Sequence, residues 1–466
     1  MEKQYINFFN DWNFNINVYL TGCNIKTRNK AGPGIWMTLL LPIAIIISFW
    51  KHPECSQLYK TCVCASCGLL IHSILLICFI NQTSKFRTIC CAVNSAIITL
   101  LLLFVSEGGI TSSLVFGILS SFGYNRFLLL VLQMCPESFT FGEAATVVQG
   151  IILFMISIFE NVLSFFNVSK ECMTISTIIL QVGQFGVLGL CISIYKFPVL
   201  QIPRNFYITT SVVLLSIVLF LHYILKQSAV LWLVQLLSQD VVTVNLLLCW
   251  LLFSVLAILG IAIQIRGNNK ASTIVRKYFH LLALGVYIPG LIFNQCLLYT
   301  ASGVVLALFI VLETMRILKL PIIGTALDCG FQAFVDEKDN VIALTPIYLL
   351  VACSLPLWIH PNPSDKVLLP LMSGLLAIGV GDTAASICGT WFGEHNWPGS
   401  NRTKEGTLGC FISQLFTVLA FIHYGYVPRN NLLRPIVAII TTSLVEAITD
   451  QVDNLALPLL SYIILV

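Results

Sequence analysis

The sequence predicts an all-α, polytopic integral membrane protein. Three observations carry that prediction. The 466-residue chain is 57% hydrophobic, only 10% charged, and has a mean hydropathy of +0.90. A soluble domain is about 45–50% apolar and about 25% charged, so this chain has too little polar surface to coat a soluble particle of its size. Apolar runs of about 20 residues, the length that crosses a bilayer as a helix, recur along it. They begin near residues 34, 58, 88, 109, 141, 172, 206, 241, 276, 298, 341, 366, 405 and 433, with a short terminal segment from 454. That makes about fourteen transmembrane helices.

Taken in chain order, the first thirty-three residues are polar and aromatic. No charged region leads there into a short apolar core with a small-residue cleavage site, so no cleaved signal peptide is expected. The terminal "SYIILV" carries no receptor-read retention signal. The sequons at Asn81 and Asn167 are candidate lumenal sites. The seventeen cysteines lie mostly in apolar runs. Cys62, Cys64 and Cys67 lack the second ligand pair a zinc motif needs, so they read as small buried hydrophobes, and no disulfide framework is implied.

Up to about residue 265 the intramembrane polar groups are scattered: Glu107, Glu143, Gln149, Glu160, Gln181, Gln184 and Asp240. From 266 they gather at span ends and in two longer loops. We therefore divide the chain into an N-terminal multi-span scaffold, 1–265, and a C-terminal catalytic region, 266–466. Neither a short repeat nor a matched pair of interrupted helices is visible, which argues against an inverted-repeat transporter.

Four constellations in the second region carry chemistry. "RKYFH" places Arg276 and His280 four apart on one helix face, with Lys277 between them. It reads either as a positive-inside anchor or as a basic collar for phosphates. In "LETMRILKLP", Glu313 and Arg316 are three apart, a local ion pair or a functional intramembrane carboxylate. In "GVGDTAASICGTWFGEHNWPGSNRTKEGT", Asp382, Ser386, Gly389 and Gly393 form a small-residue stripe headed by an aspartate. Gly389 and Gly393 by themselves suit close helix packing. The loop beyond them brings Arg402, Thr403 and Lys404 to a helix that opens with Glu405 and Gly406, a candidate anion cradle. In "VEAITDQVDNLALPLL", Glu446, Asp450 and Asp453 fall at i, i+4 and i+7, so one continuous helix puts them on one face. Such a cluster is costly in a membrane unless water wets it or a divalent cation binds it. Pro458 just beyond should break or kink that helix.

Several signatures are absent: the GxxxxGK[ST] phosphate loop, the protein-kinase motif set, the GxSxG elbow and the HExxH zinc helix.

At "RKYFH", "ETMR", "GDTAASICGTWFG…NRTKEGT" and "EAITDQVDNLALPL", the sequence resembles the polyprenol kinase family, in its dolichol kinase branch. The region with "SFTFGEAATVVQG" (138–150) is similar to the long N-terminal part that dolichol kinases have and phytol-type kinases lack. The Asp…Gly…Gly…Thr-x-Glu-Gly pattern is also similar to that of phosphatidate cytidylyltransferases, and both groups share a DxxD, here Asp450 to Asp453. One departure is that Asn401-Arg402 stands where the family usually has two basic residues. The resemblance implies transfer of the γ-phosphoryl of CTP to the terminal hydroxyl of dolichol, giving dolichyl phosphate and CDP. It also implies a divalent metal such as Mg²⁺, the endoplasmic reticulum membrane and a cytosol-facing CTP site. The expected partners are CTP, a dolichol or polyprenol and membrane lipids, with no nucleic acid and no protein partner inferred.

On this expectation Arg402 and Lys404, helped by Arg276 and Lys277, clamp the triphosphate. Asp382, with Asp450 and Asp453, holds the metal. Glu446 or Asp450 serves the lipid hydroxyl as base, with His280 as a further candidate. Asp450→Asn is then expected to abolish turnover. The alternatives are a lipid cytidylyltransferase, a kinase for another polyprenol, or a transporter.

Overall fold

The computed structural model describes residues 2–29, 31–106, 109–163, 171–266, 273–321, 324, 327, 330, 342–361, 368–429 and 432–466. Glu107, the Asn167 sequon and most of the 266–273 loop lie outside the described residues. Within the described residues the regular elements are helices. They are α1 (Glu2–Gly22), α2 (Met37–Lys51), α3 (Gln57–Phe79), α4 (Ser84–Val105), α5 (Ile110–Met134) and α6 (Phe141–Leu163). These continue with α7 (Cys172–Lys196), α8 (Pro203–Leu225), α9 (Ala229–Leu237), α10 (Val241–Arg266), α11 (Thr273–Phe293) and α12 (Gln295–Ile317). The last are α13 (Thr345–Ile359), α14 (Leu375–Phe392), α15 (Lys404–His423), α16 (Leu433–Ile448) and α17 (Asp453–Leu465).

Ten described helices are long and apolar enough to cross a membrane, and α2, α13 and α17 are shorter apolar helices. Apart from α14, which opens at Leu375 where the sequence reading began a run near 366, their starts fall within a few residues of the apolar runs read from the sequence. A helix satisfies its own backbone polar groups, so each apolar run solves the hydrocarbon problem locally. Most of α8 and α10 faces outward: only 11% and 6% of their apolar windows are buried, as suits lipid contact.

Two cores organise the bundle. The larger joins Leu40 and Leu41 of α2, Val63 and Leu69 of α3, and Val148 and Ile152 of α6 to Leu455, Leu459 and Tyr462 of α17. The second gathers Tyr287 and Leu291 of α11, Cys353 and Leu357 of α13, Leu375 of α14, Val418 of α15 and Ile439 of α16. The last helix, although it follows the C-terminal motifs, is thus packed into helices of the first half of the chain.

The scattered polar groups of the first half link helices to one another. Gln149 Nε2 donates to Thr38 O at 2.7 Å and Gln184 Nε2 to Gly303 O at 2.7 Å. Asp240 caps α10 through Thr243 N at 2.6 Å. Cys64 is buried in the larger core.

The expectation of no disulfide is corrected. Cys172 and Cys296, 124 residues apart, are joined. They open α7 and α12, and only the packing of those two helices brings them together. No spacing rule in the sequence encodes that meeting.

The predicted carboxylate stripe is also broken. Helix α16 ends at Ile448 and α17 begins at Asp453, so Glu446 and Asp453 stand on different helices. Pro458 lies inside α17, and the break falls before it, at 449–452.

Candidate active site

Eight helices, α10 to α17, contribute to one cavity of about 930 Å³. Its polar end carries Arg276, Lys277 and His280 from the start of α11, and Asp382, Ser386 and Gly389 from α14. Arg402 and Thr403 come from the loop before α15, Glu446 from the end of α16, and Asp453 from the start of α17. Its other end is apolar: Ala257 and Ile261 of α10, Ala283 of α11, Val305 and Phe309 of α12, and Leu349 and Cys353 of α13.

Local structure places each group. Asp382 ends a π-helical stretch, Leu375–Asp382, after which α14 resumes as an α-helix. Such insertions redirect side chains and recur at functional sites. Gly389 and Gly406 let α14 and α15 cross closely, because a Cβ on Gly406 would lie 2.8 Å from Ala385 O. Gly393 packs against Gly389 and Thr403 and does not line the cavity. Thr403 caps α15, its Oγ1 accepting from Gly406 N at 3.1 Å. The loop carrying Arg402 is held from both sides. Trp397 N donates to Arg402 O at 2.9 Å, and Ser400 Oγ donates to Ala447 O at 3.3 Å.

Asp382, Glu446 and Asp453 each direct one carboxylate oxygen into a cluster whose atoms all lie within 4.8 Å of one another. Asp382 and Glu446 are 7% and 3% exposed, so their charges need partners. Lys277 ion-pairs with Asp382. Arg402 ion-pairs with Glu446 and donates from Nη2 to Asp453 Oδ2 at 2.9 Å. Burial works against the Arg402 charge, but the carboxylates around it, Asp453 first and then Asp382, together hold the guanidinium above its ordinary pKa. Asp453 Oδ1 is buried with no hydrogen-bond partner. His280, 7% exposed, sets Nδ1 4.0 Å from Asp382 Oδ2, and that nitrogen also has no hydrogen-bond partner.

Other candidates lie apart. Asp450 is absent from the cavity wall; its Oδ2 accepts from Gly32 N at 2.5 Å and its Oδ1 from Gln451 Nε2 at 2.6 Å. Lys404 is exposed, and Glu405 turns to His395 Nδ1 at 2.7 Å. Glu313 and Arg316 form a two-pronged pair at 2.7 and 2.8 Å, and Glu313 Oε1 also accepts from Ala343 N. Neither lines the cavity.

Sequence reasoning missed Arg28, which lines the same cavity from the segment before α2. It stands in a polar stretch with no periodicity or motif to mark it.

Two buried carboxylates and a partly buried third, one of whose oxygens is buried with no hydrogen-bond partner, make a hard-oxygen donor set that suits a small divalent cation. The flanking bases suit phosphate. The fold and site together define a polytopic membrane protein whose reactive groups surround a cavity that is charged at one end and apolar at the other.

A family model described as dolichol kinase matches residues 59–348. The chain is 35% identical to dolichol kinase of Homo sapiens over 359 residues, 72% of this chain and 66% of the human protein. Dolichol kinase of Bos taurus shows the same identity and coverage. Dolichol kinase EVAN of Arabidopsis thaliana is 31% identical over 238 residues, 49% of this chain and 41% of that protein. No solved structure matches. The chain belongs to the dolichol kinase family. The family match includes Arg276, Lys277, His280, Glu313 and Arg316 but stops short of Asp382. The roles of the later residues therefore rest on their geometry.

Proposed function

We propose that this protein transfers the γ-phosphoryl group of CTP to the terminal hydroxyl of a polyprenol such as dolichol. One observation carries the proposal: a single cavity joins a cluster of carboxylates and bases to an apolar crevice between α11, α12 and α13. Phosphate chemistry suits the first end and an isoprenoid tail the second. Residues 266–466 hold most of the reacting groups, and the scaffold in 1–265 buttresses them.

Asp382, Glu446 and Asp453 would hold a divalent cation such as Mg²⁺, whose charge would offset that of the β- and γ-phosphate oxygens. Arg276, Lys277 and Arg402 bind the triphosphate, with the positive end of α15 beside them. His280 stands between the basic residues and Ala283 on the same helix, where a hydroxyl arriving on an apolar tail meets the phosphate end. Its unpaired Nδ1 takes the hydroxyl proton. The alcohol oxygen then bonds to the γ-phosphorus, the bond to the β-phosphate oxygen breaks, and CDP leaves. A loose transition state asks for positioning and charge more than for covalent help.

We further propose the endoplasmic reticulum membrane, with the nucleotide entering from the cytosol. Helix α11 carries its bases at one end and, about 31 Å away, meets α12 and the Cys172–Cys296 disulfide at the other. Disulfides persist in oxidising compartments, which supports a lumenal position for that far end. Following the helices alternately across the bundle sets Lys26, Lys85, Arg87, Lys196, Arg204 and Arg266 on the site's face. Lys51, Lys60, Lys226, Arg429 and Arg434 fall on the other. That bias agrees with a cytosolic site. Asn81 then faces the cytosol, not the lumen.

The test supplies γ-labelled CTP or ATP to purified protein with polyprenols of several lengths. Label in the lipid from CTP is expected. Label only in pyrophosphate would make the protein a cytidylyltransferase, and transfer from ATP but not CTP would sink the nucleotide assignment.

A further inference from the structure

Residues 449–452 leave the helix, and a helix break inside a bundle must find partners for its backbone groups. The partners come from the other half of the molecule. Val452 N donates to Glu143 Oε1 at 2.7 Å, and Asp450 O accepts from Arg28 Nη2 at 2.9 Å. Arg28 Nη2 and Glu143 Oε1 are themselves paired at 2.8 Å, with side chains 6% and 0% exposed. Glu143 Oε2 accepts from Thr140 N at 3.0 Å while Thr140 Oγ1 accepts from Glu143 N at 3.2 Å, a reciprocal cap on α6. Thr140 Oγ1 also lies 2.6 Å from Gln451 Oε1.

The surrounding backbone is pinned as tightly. Arg28 N donates to Phe139 O at 2.9 Å and Gly142 N to Pro33 O at 2.8 Å. Gly34 has φ +66°, and a Cβ on Gly142 would collide with Gly34 O, so both positions need glycine. The residue that follows this anchored junction is Asp453, which contributes one carboxylate oxygen to the cluster and whose Oδ1 has no hydrogen-bond partner.

A fully buried ion pair is a poor device for stability alone, since well-packed apolar residues serve as well or better. Its value lies in direction. We infer that the Arg28–Glu143 pair is a positioning device that fixes the Val452–Asp453 junction and so aims the Asp453 carboxylate at the divalent cation. The role rests on the metal site proposed above. It also gives the N-terminal scaffold a part in the reaction, because neither residue belongs to the C-terminal motifs.

The experiment measures Mn²⁺ binding to detergent-purified, full-length protein by the electron paramagnetic resonance signal of free Mn²⁺, together with thermal unfolding. Arg28→Met and Glu143→Gln should weaken Mn²⁺ binding about tenfold, the usual scale for partners that orient a ligand. Arg28→Lys, which keeps the charge, should fold readily and lose about threefold. The comparison is Gln149→Leu, which removes two buried hydrogen bonds of the same helix away from the junction. It should lower the unfolding temperature and leave Mn²⁺ affinity within twofold of wild type. Arg28→Lys and the folded Arg28 and Glu143 variants binding Mn²⁺ as tightly as Gln149→Leu would overturn the positioning role. Wild-type protein that binds no Mn²⁺, or binds it equally after Asp453→Asn, would instead overturn the metal site itself.

Discussion

Lys277 and Asp382, 105 residues apart in sequence, form an ion pair at the polar end of the cavity, with side chains 13% and 10% exposed. Each neutralises a charge that the membrane would otherwise penalise. On the proposed function, the same lysine would turn to a phosphate once a cation occupies the carboxylates.

Lys277→Met removes that cation and leaves Asp382 buried beside the other carboxylates. Breaking one partner of a buried pair costs about 3 kcal/mol, so the unfolding temperature should drop. Turnover should fall on the order of a hundredfold, through loss of charge stabilisation of the phosphoryl group. Retention of more than a tenth of wild-type turnover would count against a phosphate role for Lys277.

Asp453→Asn and Asp450→Asn should behave differently although they end the same DxxD. Asp453→Asn removes a charge from the cluster and should cut turnover on the order of a hundredfold and weaken Mn²⁺ binding. Asp450→Asn loses charge-assisted bonds to Gly32 N and Gln451, a cost of about 1–2 kcal/mol in stability. Its Mn²⁺ affinity should stay near wild type. The opposite ranking of metal affinities would return Asp450 to the cation site.

Ala283→Trp should obstruct the apolar crevice one turn below His280. The expected result is a loss in kcat/KM on the order of tenfold for long polyprenols, a much smaller loss for a short prenol, and an unchanged KM for CTP. Equal losses for long and short alcohols would place the tail elsewhere.

Orientation can be read from Cys172 and Cys296 by mass spectrometry of the peptides that contain them. In sealed microsomes an impermeant reductant followed by an impermeant maleimide should leave both unlabelled. Opening the vesicles with detergent should expose them to labelling. Modification in sealed vesicles would put the disulfide, and not the site, on the cytosolic face.

Much of the fold is legible in the chain. The apolar runs from 58, 109, 141 and 241 become helices beginning at Gln57, Ile110, Phe141 and Val241. Of the candidate site residues read from the sequence, Arg276, Lys277, His280, Asp382, Arg402, Glu446 and Asp453 line one cavity. What misleads is periodicity carried through a break. Glu446, Asp450 and Asp453 share a face only if the helix continues, and Thr449 to Val452 leave it for partners at Arg28 and Glu143. Pro458, the one local warning, marks a residue within the second helix and not the break itself.

The sequence by itself determined that this protein lives in a membrane, where its helices start, and which residues bear charge. Those properties are local: hydropathy acts on each segment, and each helix closes its own hydrogen bonds. Tertiary structure alone decided which charges meet. It sorted Asp453 into the carboxylate cluster and Asp450 out of it, paired Lys277 with Asp382, joined Cys172 to Cys296, and brought Arg28 and Glu143 to the junction that precedes Asp453. Buried charges must find partners wherever the packing of distant helices supplies them, and no spacing along the chain records that outcome.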